Sequence, residues 1–149
     1  MEWGCIRLKL ISEAETFPMV HIKYKLDKSK YHGIGLFAGE NIKKGQLIYT
    51  ASPVLDVNIR QEQFDSLSES EQKEIQYWGF WIEKEKVWHV DFDVSKFINH
   101  SFEPTTTQDF SKEEAYLTAI RDIKSGEELT QNYLEFENED VLRSRGVNI

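Results

Sequence analysis

The chain is poor in cysteine and has no long apolar run, and each shortage excludes a class of protein. Its single cysteine, Cys5, excludes an internal disulfide and a cysteine-rich zinc cluster. No apolar run approaches the roughly 18 residues that a membrane span requires. The N-terminal residues Met-Glu-Trp-Gly-Cys lack the basic start and apolar stretch of a signal peptide. We therefore expect a soluble intracellular protein, cytoplasmic or, in a eukaryote, nuclear, with no membrane partner.

An excess of positive charge is also missing. Lys and Arg number 18 against 26 Asp and Glu, for a net charge of −8. Direct nucleic-acid binding is not expected, because phosphate contacts need clustered basic residues. The acidic surplus follows Ala51 and includes Asp109, Glu113 and Glu114, so it favours either attraction of a lysine-rich segment or simple solubility. A chain of 149 residues with 40% hydrophobic residues is sized for one packed domain, predicted to span residues 1–149.

Alternation of apolar and polar residues, typical of half-buried strands, is the commonest pattern in the chain. Alternation or a short apolar run predicts strands at Ile6–Leu10, Val20–Leu26, Leu47–Tyr49, Val54–Val57, Trp88–Val94 and Tyr116–Ile120. Regular alternation of strands with helices is absent, so a doubly wound parallel sheet is disfavoured. The predicted fold is mainly β.

One or two short helices are predicted beside the strands. Ser68 and Glu71 have the spacing of a capping box, and the stretch Glu69–Trp78 then contains neither Gly nor Pro. Gly79 is placed to end this helix. A second, weaker helical pattern spans Asn138–Ser144.

An internal similarity relates two segments that are 81 residues apart. Ala38–Ile48 aligns with Ala119–Leu129, and Ala, Asn or Asp, Ile-Lys, Gly, and Gln or Glu recur in register. Each copy is typical of a strand, a turn and a strand, with its glycine at a position of positive φ. We expect two similar units that face each other in one body.

Three motifs contain the residues that could bind a ligand or react. Gly33-Ile34-Gly35 lacks the third glycine of a dinucleotide fingerprint, so by itself it indicates only a glycine-rich turn. Asn99-His100-Ser101 offers directed hydrogen bonds, or a set of satisfied polar groups at a strand end. The segment Glu127–Tyr133 pairs two carboxylates, typical of a solvated turn, with a tyrosine. The four histidines show no metal-ligand spacing, so no metal is expected.

Taken in this order, the three motifs resemble the SET-domain protein lysine methyltransferases. The resemblance spans about Val20 to Phe136 and implies a single SET domain. It implies a β-clip of several small curved sheets with a pseudoknot, in which the Asn-His segment passes beneath a later loop. It also implies S-adenosyl-L-methionine as the cofactor and a lysine-bearing protein, a histone or another basic protein, as the substrate.

The resemblance assigns roles to particular residues. It implies that the glycine-rich segment, the Asn-His segment and the tyrosine bind the cofactor. The residues concerned are Gly33, Ile34, Gly35, Leu36, Asn99, His100 and Tyr133. It makes Tyr133 the catalytic residue as well. Residues Phe97, Gln131 and Phe136 are candidates for the wall of a lysine channel.

Three positions depart from the family pattern. Thr105 follows Pro104 where the family commonly has Asn, Gln131 replaces an aromatic residue, and Ala51 falls at a frequent active-site tyrosine. The resemblance of the three motifs still makes an S-adenosyl-L-methionine-dependent protein lysine N-methyltransferase the leading hypothesis. The first alternative is a weakened SET module that binds cofactor or a protein partner without efficient transfer, and the second is a purely structural β-module.

Overall fold

The computed structural model describes residues 19–112 and 115–149. The predicted strand at Ile6–Leu10, Cys5 and the pair Glu113 and Glu114 lie outside the described residues. The strands of the described part are β1 Tyr24–Lys28, β2 Ile34–Ala38, β3 Leu47–Thr50, β4 Val57–Arg60, β5 Phe80–Ile82, β6 Val87–Val90, β7 Asn99–His100, β8 Thr106–Gln108, β9 Tyr116–Ala119 and β10 Thr130–Gln131. The helices are α1 Gln61–Asp65, α2 Glu69–Trp78 and α3 Glu139–Ser144, with 3₁₀ turns at Val94–Phe97 and Tyr133–Glu135.

The strands form small separate sheets. β1 pairs with β2, β9 lies between β3 and β8, and β6 lies between β4 and β5, all antiparallel. β7 and β10 form a two-stranded parallel pair. The predicted mainly β class is confirmed, although the described residues hold three α-helices rather than one or two.

The two repeated segments pack against each other with a local two-fold relation. The amide of Gly45 donates to Ala119 O at 2.7 Å, and the amide of Gly126, 81 residues later, donates to Ala38 O at 2.7 Å. Both glycines have positive φ, 80° and 90°, as the repeat predicts. Ile42 and Ile123, each 1% exposed, form a bridge at the centre of this arrangement.

This repeat pair contains the main hydrophobic core. Its fully buried members come from both copies and from the strands beside them: Val20, Ile22, Leu36, Ile42, Ile48, Ile123 and Leu129. The core therefore fixes the strand ends from which the glycine segment and the Glu-Glu-Leu segment continue.

Several predicted strand limits are wrong. Val20 and Ile22 are buried as their alternation predicts. Val20 nevertheless forms only an isolated bridge to Tyr49 and no continuous ladder, so the strand β1 begins at Tyr24. In the predicted strand Val54–Val57, Val54 is 86% exposed. The chain turns there because Asp56 donates its amide to Ser52 O.

The predicted strand Trp88–Val94 is also too long. β6 ends at Val90, and the carboxylate of Asp93 accepts the amide of Ser95 at 2.7 Å, which begins a 3₁₀ turn at Val94. A polar side chain that captures a nearby amide stops the sheet ladder.

The helix caps follow the sequence closely. Ser68 and Glu71 form the predicted capping box of α2, and Asn138 caps α3 by accepting the amide of Val141 at 2.9 Å. Gly79 ends α2, but with an extended φ of −97° rather than a left-handed one. A Cβ at Gly79 would lie 2.7 Å from His89 O, so close packing requires the glycine.

The parallel pair of β7 and β10 brings the second and third motifs side by side. Asn99 lies opposite Thr130, and His100 lies opposite Gln131. The chain then turns back across β10, where the amide of Thr105 donates to Thr130 O at 3.1 Å. Such pairing of distant segments is the arrangement that the predicted pseudoknot requires.

Candidate active site

A cavity of about 560 Å³ lies where the three motifs meet. Its size falls in the range of pockets that hold small-molecule ligands. Its wall comes from the loop before β2, the end of α2, the segment around β7, the turn after β10 and the residues after α3. The predicted residues in this wall are Gly33, Ile34, Phe97, Asn99, His100, Gln131, Tyr133 and Phe136.

Asn99 connects the glycine segment to the rest of the site. Its amide nitrogen donates to the carbonyl oxygens of His32 and Ile34, both at 3.1 Å, and to Glu128 Oε1 at 3.0 Å. These contacts use only the nitrogen of the side-chain amide. The oxygen Oδ1 is therefore the group of Asn99 that is suited to accept a hydrogen bond from a ligand.

Glu128 lies behind this junction rather than in a solvated turn. Its Oε1 accepts the hydroxyl of Ser29 at 2.7 Å, and the same hydroxyl accepts the amides of Tyr31 and His32. Ser29 and Asn99 thus hold the glycine loop from two sides through one carboxylate. The adjacent carboxylates in the sequence gave no sign of this role.

Gly35 and Leu36 lie outside the cavity wall. A Cβ at Gly35 would lie 2.3 Å from Glu128 Oε1, so this glycine permits the carboxylate to approach the strand. Leu36 is 1% exposed in the core, and its carbonyl accepts the amide of Leu129 at 2.7 Å. Both residues position the loop from behind. Of the two glycines in this motif, Gly33, with φ of +49° and open space around it, is the one that faces the cavity.

His100 is held as a neutral imidazole. Its Nδ1 accepts the amide of Tyr133 at 3.1 Å, so the proton lies on Nε2, which is buried with no hydrogen-bond partner among the described residues. Burial lowers the pKa of His100, and the nearby backbone carbonyl of Gln131, which favours a protonated ring, offsets only part of this effect. The ring centroid lies 5.4 Å from that of Tyr133, and so the side chain helps to fix the position of Tyr133.

Tyr133 presents a protonated hydroxyl. The hydroxyl donates to Ile98 O at 2.6 Å. Burial raises the pKa of Tyr133 above its usual value, Arg145 lowers it, and the negative charges of Glu137 and Asp91 raise it further. The phenol therefore stays neutral at physiological pH. Its oxygen retains lone pairs that a donor in the cavity could use.

The three candidate channel residues all contribute to the wall. The ring centroid of Phe136 lies 5.6 Å from that of Tyr133, and the ring of Phe97 lies 6.2 Å from that of Trp78. Gln131 is buried, with its amide nitrogen 3.5 Å from Glu135 Oε2, so one side of the cavity is polar.

The other two departures from the family pattern also have a structural setting. Thr105 is buried, and its hydroxyl accepts the amide of Thr130 at 2.9 Å, so the threonine joins the two segments. Ala51 donates its amide to Ala115 O at 2.9 Å and adds no aromatic ring to the site.

Sequence reasoning missed much of the cavity wall. The missed wall residues are Lys30, Tyr31, His32, Tyr49, Gln76, Tyr77, Trp78, Gly79, Phe80, Asp91, Ser95, Lys96, Ile98, Gln108, Ala115, Leu117, Arg145, Gly146, Val147 and Asn148. The aromatic-rich stretch from Tyr77 to Trp81 could have indicated the part at the end of α2. No periodicity pointed to the residues that follow α3.

His89 belongs to a polar group that spacing did not indicate. Single ligand atoms of Asp56, His89 and Asp91 lie within 4.8 Å of one another. His89 Nδ1 lies 2.6 Å from Asn58 Oδ1 and its Nε2 lies 3.1 Å from Asp91, while Asp56 accepts the amide of Ser52 at 2.9 Å. The protein itself supplies hydrogen-bond partners to all three side chains.

The family model described as the SET domain matches residues 33–134. This match covers more than half of the chain, and the chain belongs to the SET domain family, as its motifs predicted.

None of the helices in the described part of the chain combines the length and the apolar composition needed to cross a membrane.

Two curated relatives match much of the chain. A Plasmodium falciparum protein described as "Variant-silencing SET domain-containing protein" is 31% identical over 118 residues, which are 73% of this chain and 5% of the relative. The "Histone-lysine N-methyltransferase EZH2" of Chaetomium thermophilum is 33% identical over 112 residues, which are 68% of this chain and 7% of the relative. The chain therefore spans only a small part of either protein.

Solved structures of the Polycomb Repressive Complex 2 from Chaetomium thermophilum share the fold. The match to an apo form covers 83% of this chain and 16% of the solved chain, with a TM-score of 0.63 and 26% identity. The match to an autoinhibited form bound to S-adenosylmethionine covers 81% of this chain and 16% of the solved chain, with a TM-score of 0.58 and 27% identity.

Proposed function

We propose that this chain transfers methyl groups from S-adenosylmethionine to a lysine side chain of a protein substrate. The observation that carries the proposal is the convergence of Gly33, Asn99, His100 and Tyr133 on one cavity, although they come from three distant segments. Membership of the SET domain family and the S-adenosylmethionine-bound neighbour support the same conclusion.

The cavity fits the chemistry of this cofactor. The carbonyl groups of His32 and Ile34 beside Asn99 suit an ammonium group, and Lys30 and Lys96 in the wall suit a carboxylate. Aromatic rings such as that of Trp78 offer stacking surfaces for a nucleobase. When bound, the cofactor supplies an electrophilic methyl group on a positively charged sulfur.

The protein's own task is to present a neutral amine. A lysine with a pKa near 10.4 is almost wholly protonated at neutral pH and has no free lone pair. Phe97, Phe136 and Phe80 give the wall an apolar surface, which disfavours the ammonium form and excludes water. Alignment of the amine in such a wall contributes up to about 7–11 kcal/mol to catalysis.

Tyr133 acts in this proposal through its neutral hydroxyl. Because its proton is directed to Ile98 O, the oxygen lone pairs can accept a hydrogen bond from the amine or contacts from polarised C–H groups. A phenol with a raised pKa is not a base at neutral pH, so Tyr133 orients the amine rather than deprotonating it.

The second candidate is a SET module that binds cofactor or a protein partner without efficient transfer. Ala51 and Gln131 favour it, because the first leaves out an aromatic ring and the second adds a buried amide that contacts Glu135. A polar channel desolvates a lysine less completely.

Labelled S-adenosylmethionine and a panel of basic proteins, histones included, distinguish the two candidates. We expect label on lysine for the first and none for the second. Calorimetry with the cofactor product, S-adenosylhomocysteine, separates a cofactor-binding module of either kind from a purely structural one, because a purely structural module does not bind it. A chain that neither binds the product nor transfers label would overturn the proposal.

A further inference from the structure

A buried ion pair lies at the cavity wall, where Arg145 is part of the lining and Glu137 lies behind it. The carboxylate of Glu137 is 0% exposed and the guanidinium of Arg145 is 10% exposed. Arg145 Nη1 donates to Glu137 Oε1 at 2.7 Å and also contacts Oε2. Glu137 precedes α3 and Arg145 follows its last residue, so the pair closes the two ends of that helix on each other.

The same pair fastens α3 to two other elements. Glu137 Oε1 accepts the amide of Trp81 in β5 at 2.7 Å. Arg145 Nε donates to Gln76 O in the last turn of α2 at 2.8 Å. Both charges thus have further hydrogen bonds, as a buried pair requires.

The neighbours of the two charges form the cavity wall. Phe136, next to Glu137, packs with its ring centroid 4.8 Å from that of Phe80 and 5.6 Å from that of Tyr133. The segment Gly146–Asn148, next to Arg145, lies in the wall as well. Glu137 is therefore one residue away from the wall, and Arg145 lies in the wall beside the segment that it holds.

The pair is poorly suited to act only as a source of stability. Burial raises the pKa of Glu137 in spite of Arg145, so the folded protein disfavours the carboxylate relative to water. Buried ion pairs can often be replaced by apolar residues without loss of stability. What an apolar pair would not supply is the directed bonds to Trp81 and Gln76.

We propose that Glu137 and Arg145 are positioning residues that hold Phe136 and the segment Gly146–Asn148 in the cavity wall, so that cofactor affinity depends on them. This inference rests on the proposed function of the cavity. Neither residue belongs to the three motifs, and nothing in the sequence pattern singles them out.

The test compares Arg145→Gln with a control on the same helix. Arg143 forms an exposed ion pair with Glu139, so Arg143→Gln breaks a salt bridge of α3 without removing a side chain that lines the cavity. In calorimetry with S-adenosylhomocysteine we expect Arg145→Gln to weaken binding by about tenfold or more and Arg143→Gln to leave it unchanged. Arg145→Lys keeps the charge but not the fork of donors, so it should recover part of the affinity.

Hydrogen exchange without ligand gives a second measurement. The amides of Gly146 and Val147 bond to Arg143 O and Leu142 O, both at 3.0 Å, so their exchange is slowed in the intact structure. We expect Arg145→Gln to accelerate exchange of these two amides while the core strands stay protected. Glu137→Gln, which keeps a carbonyl acceptor for Trp81, should act in the same direction if Arg145→Gln does not fold.

The outcomes separate this inference from the proposed function. Failure of the wild-type chain to bind S-adenosylhomocysteine contradicts the proposed function. Hydrogen exchange of Gly146 and Val147 then decides whether Glu137 and Arg145 position the wall segment. Equal affinity and equal exchange in the wild type and in a folded Arg145 or Glu137 variant overturn the inference, whatever activity the protein has.

Discussion

The amide nitrogen of Asn99 lies 3.0 Å from Glu128 Oε1, which joins the second motif of the chain to the third. Through the same two side chains the glycine loop is fixed, because Asn99 also bonds to the carbonyl of His32 and Glu128 to the hydroxyl of Ser29. Three motifs distant in sequence thus share one hydrogen-bonded centre. Changes at this centre should affect the ligand site and the loop together.

Asn99→Ala should weaken binding of S-adenosylhomocysteine by about tenfold or more, since the loop carbonyls lose their donor and the ligand loses Oδ1 as an acceptor. Calorimetry measures the affinity, and circular dichroism checks the fold. Asn41→Ala serves as a control, because its side chain accepts the amide of Ser125 in the repeat turn and does not line the cavity. Unchanged affinity in Asn99→Ala would limit the motif to a structural role.

Gly35→Ala tests the close approach of Glu128 to β2. The added methyl would lie 2.3 Å from Glu128 Oε1, so the carboxylate must move away from Ser29 and Asn99. We expect a loss of roughly 1–3 kcal/mol in the free energy of unfolding, together with weaker ligand binding. Urea unfolding and calorimetry measure the two effects.

A double-mutant cycle and a remote glycine control this experiment. Gly35→Ala combined with Glu128→Ala should cost less than the sum of the single changes, with a coupling of roughly 0.5–3 kcal/mol. Gly45→Ala, at a positive φ with open space around it, should lose about 1–2 kcal/mol from backbone strain alone and leave binding intact. Strictly additive costs at Gly35 and Glu128 would contradict the contact.

Local patterns in the sequence predicted the features that depend on near neighbours. The capping box at Ser68 and Glu71, the second helix near Asn138–Ser144 and the turn glycines at Gly45 and Gly126 were all confirmed. The exchange of hydrogen bonds between the two copies is more than repetition alone predicts. It follows because each copy leaves unpaired amides that the other copy can satisfy.

Side-chain hydrogen bonds within loops and contacts between distant residues were not predictable from the apolar pattern. Val54 has a strand-forming side chain, yet the hydrogen bonds of Ser52 and Asp56 give the chain a turn there. The role of Glu128 depends on Ser29 and Asn99, which are 99 and 29 residues away. The motif residues facing the cavity were recognised through resemblance to a family, whereas Arg145 has no such motif.

Tyr133→Phe should separate binding from turnover. We expect turnover to fall by about a hundredfold, since a positioned polar group is lost where charge is redistributed. Affinity for S-adenosylhomocysteine should change little. Tyr77→Phe, which removes an exposed hydroxyl from the same wall, is the matched control and should keep full activity. Full activity of the Tyr133 variant would remove this residue from the mechanism.

The pH dependence of the wild-type rate gives a second test of Tyr133. Because burial raises its pKa above the usual value near 10, the phenol should not titrate below that pH. We expect kcat/KM to rise with pH toward the lysine pKa near 10.4 as the free amine becomes available. A falling limb between about pH 7 and 9 that is lost in Tyr133→Phe would show that the tyrosine ionises during turnover.

The His89–Asp91 contact should make stability depend on pH in a defined direction. Burial lowers the pKa of His89, but the hydrogen bond and charge of Asp91 outweigh it, so that the folded-state pKa is raised. A histidine with a raised folded-state pKa contributes stability that is complete below the unfolded pKa of about 6.5 and is lost as pH rises through the folded pKa. Urea unfolding of the wild type and Asp91→Asn should therefore differ more near pH 6 than near pH 9.

His89→Gln is the control for this comparison, because adding Asp91→Asn to it should produce a difference that no longer varies with pH. The lowered pKa of His100 also reduces the free energy of unfolding of the protein toward acid pH. This effect is the same in every variant, so it cancels when their free energies of unfolding are compared. A gap between the wild type and Asp91→Asn that widens as pH rises would contradict a charged His89 in the folded chain. In that case the 3.1 Å contact between His89 Nε2 and Asp91 Oδ1 would be a hydrogen bond between a neutral ring and a carboxylate.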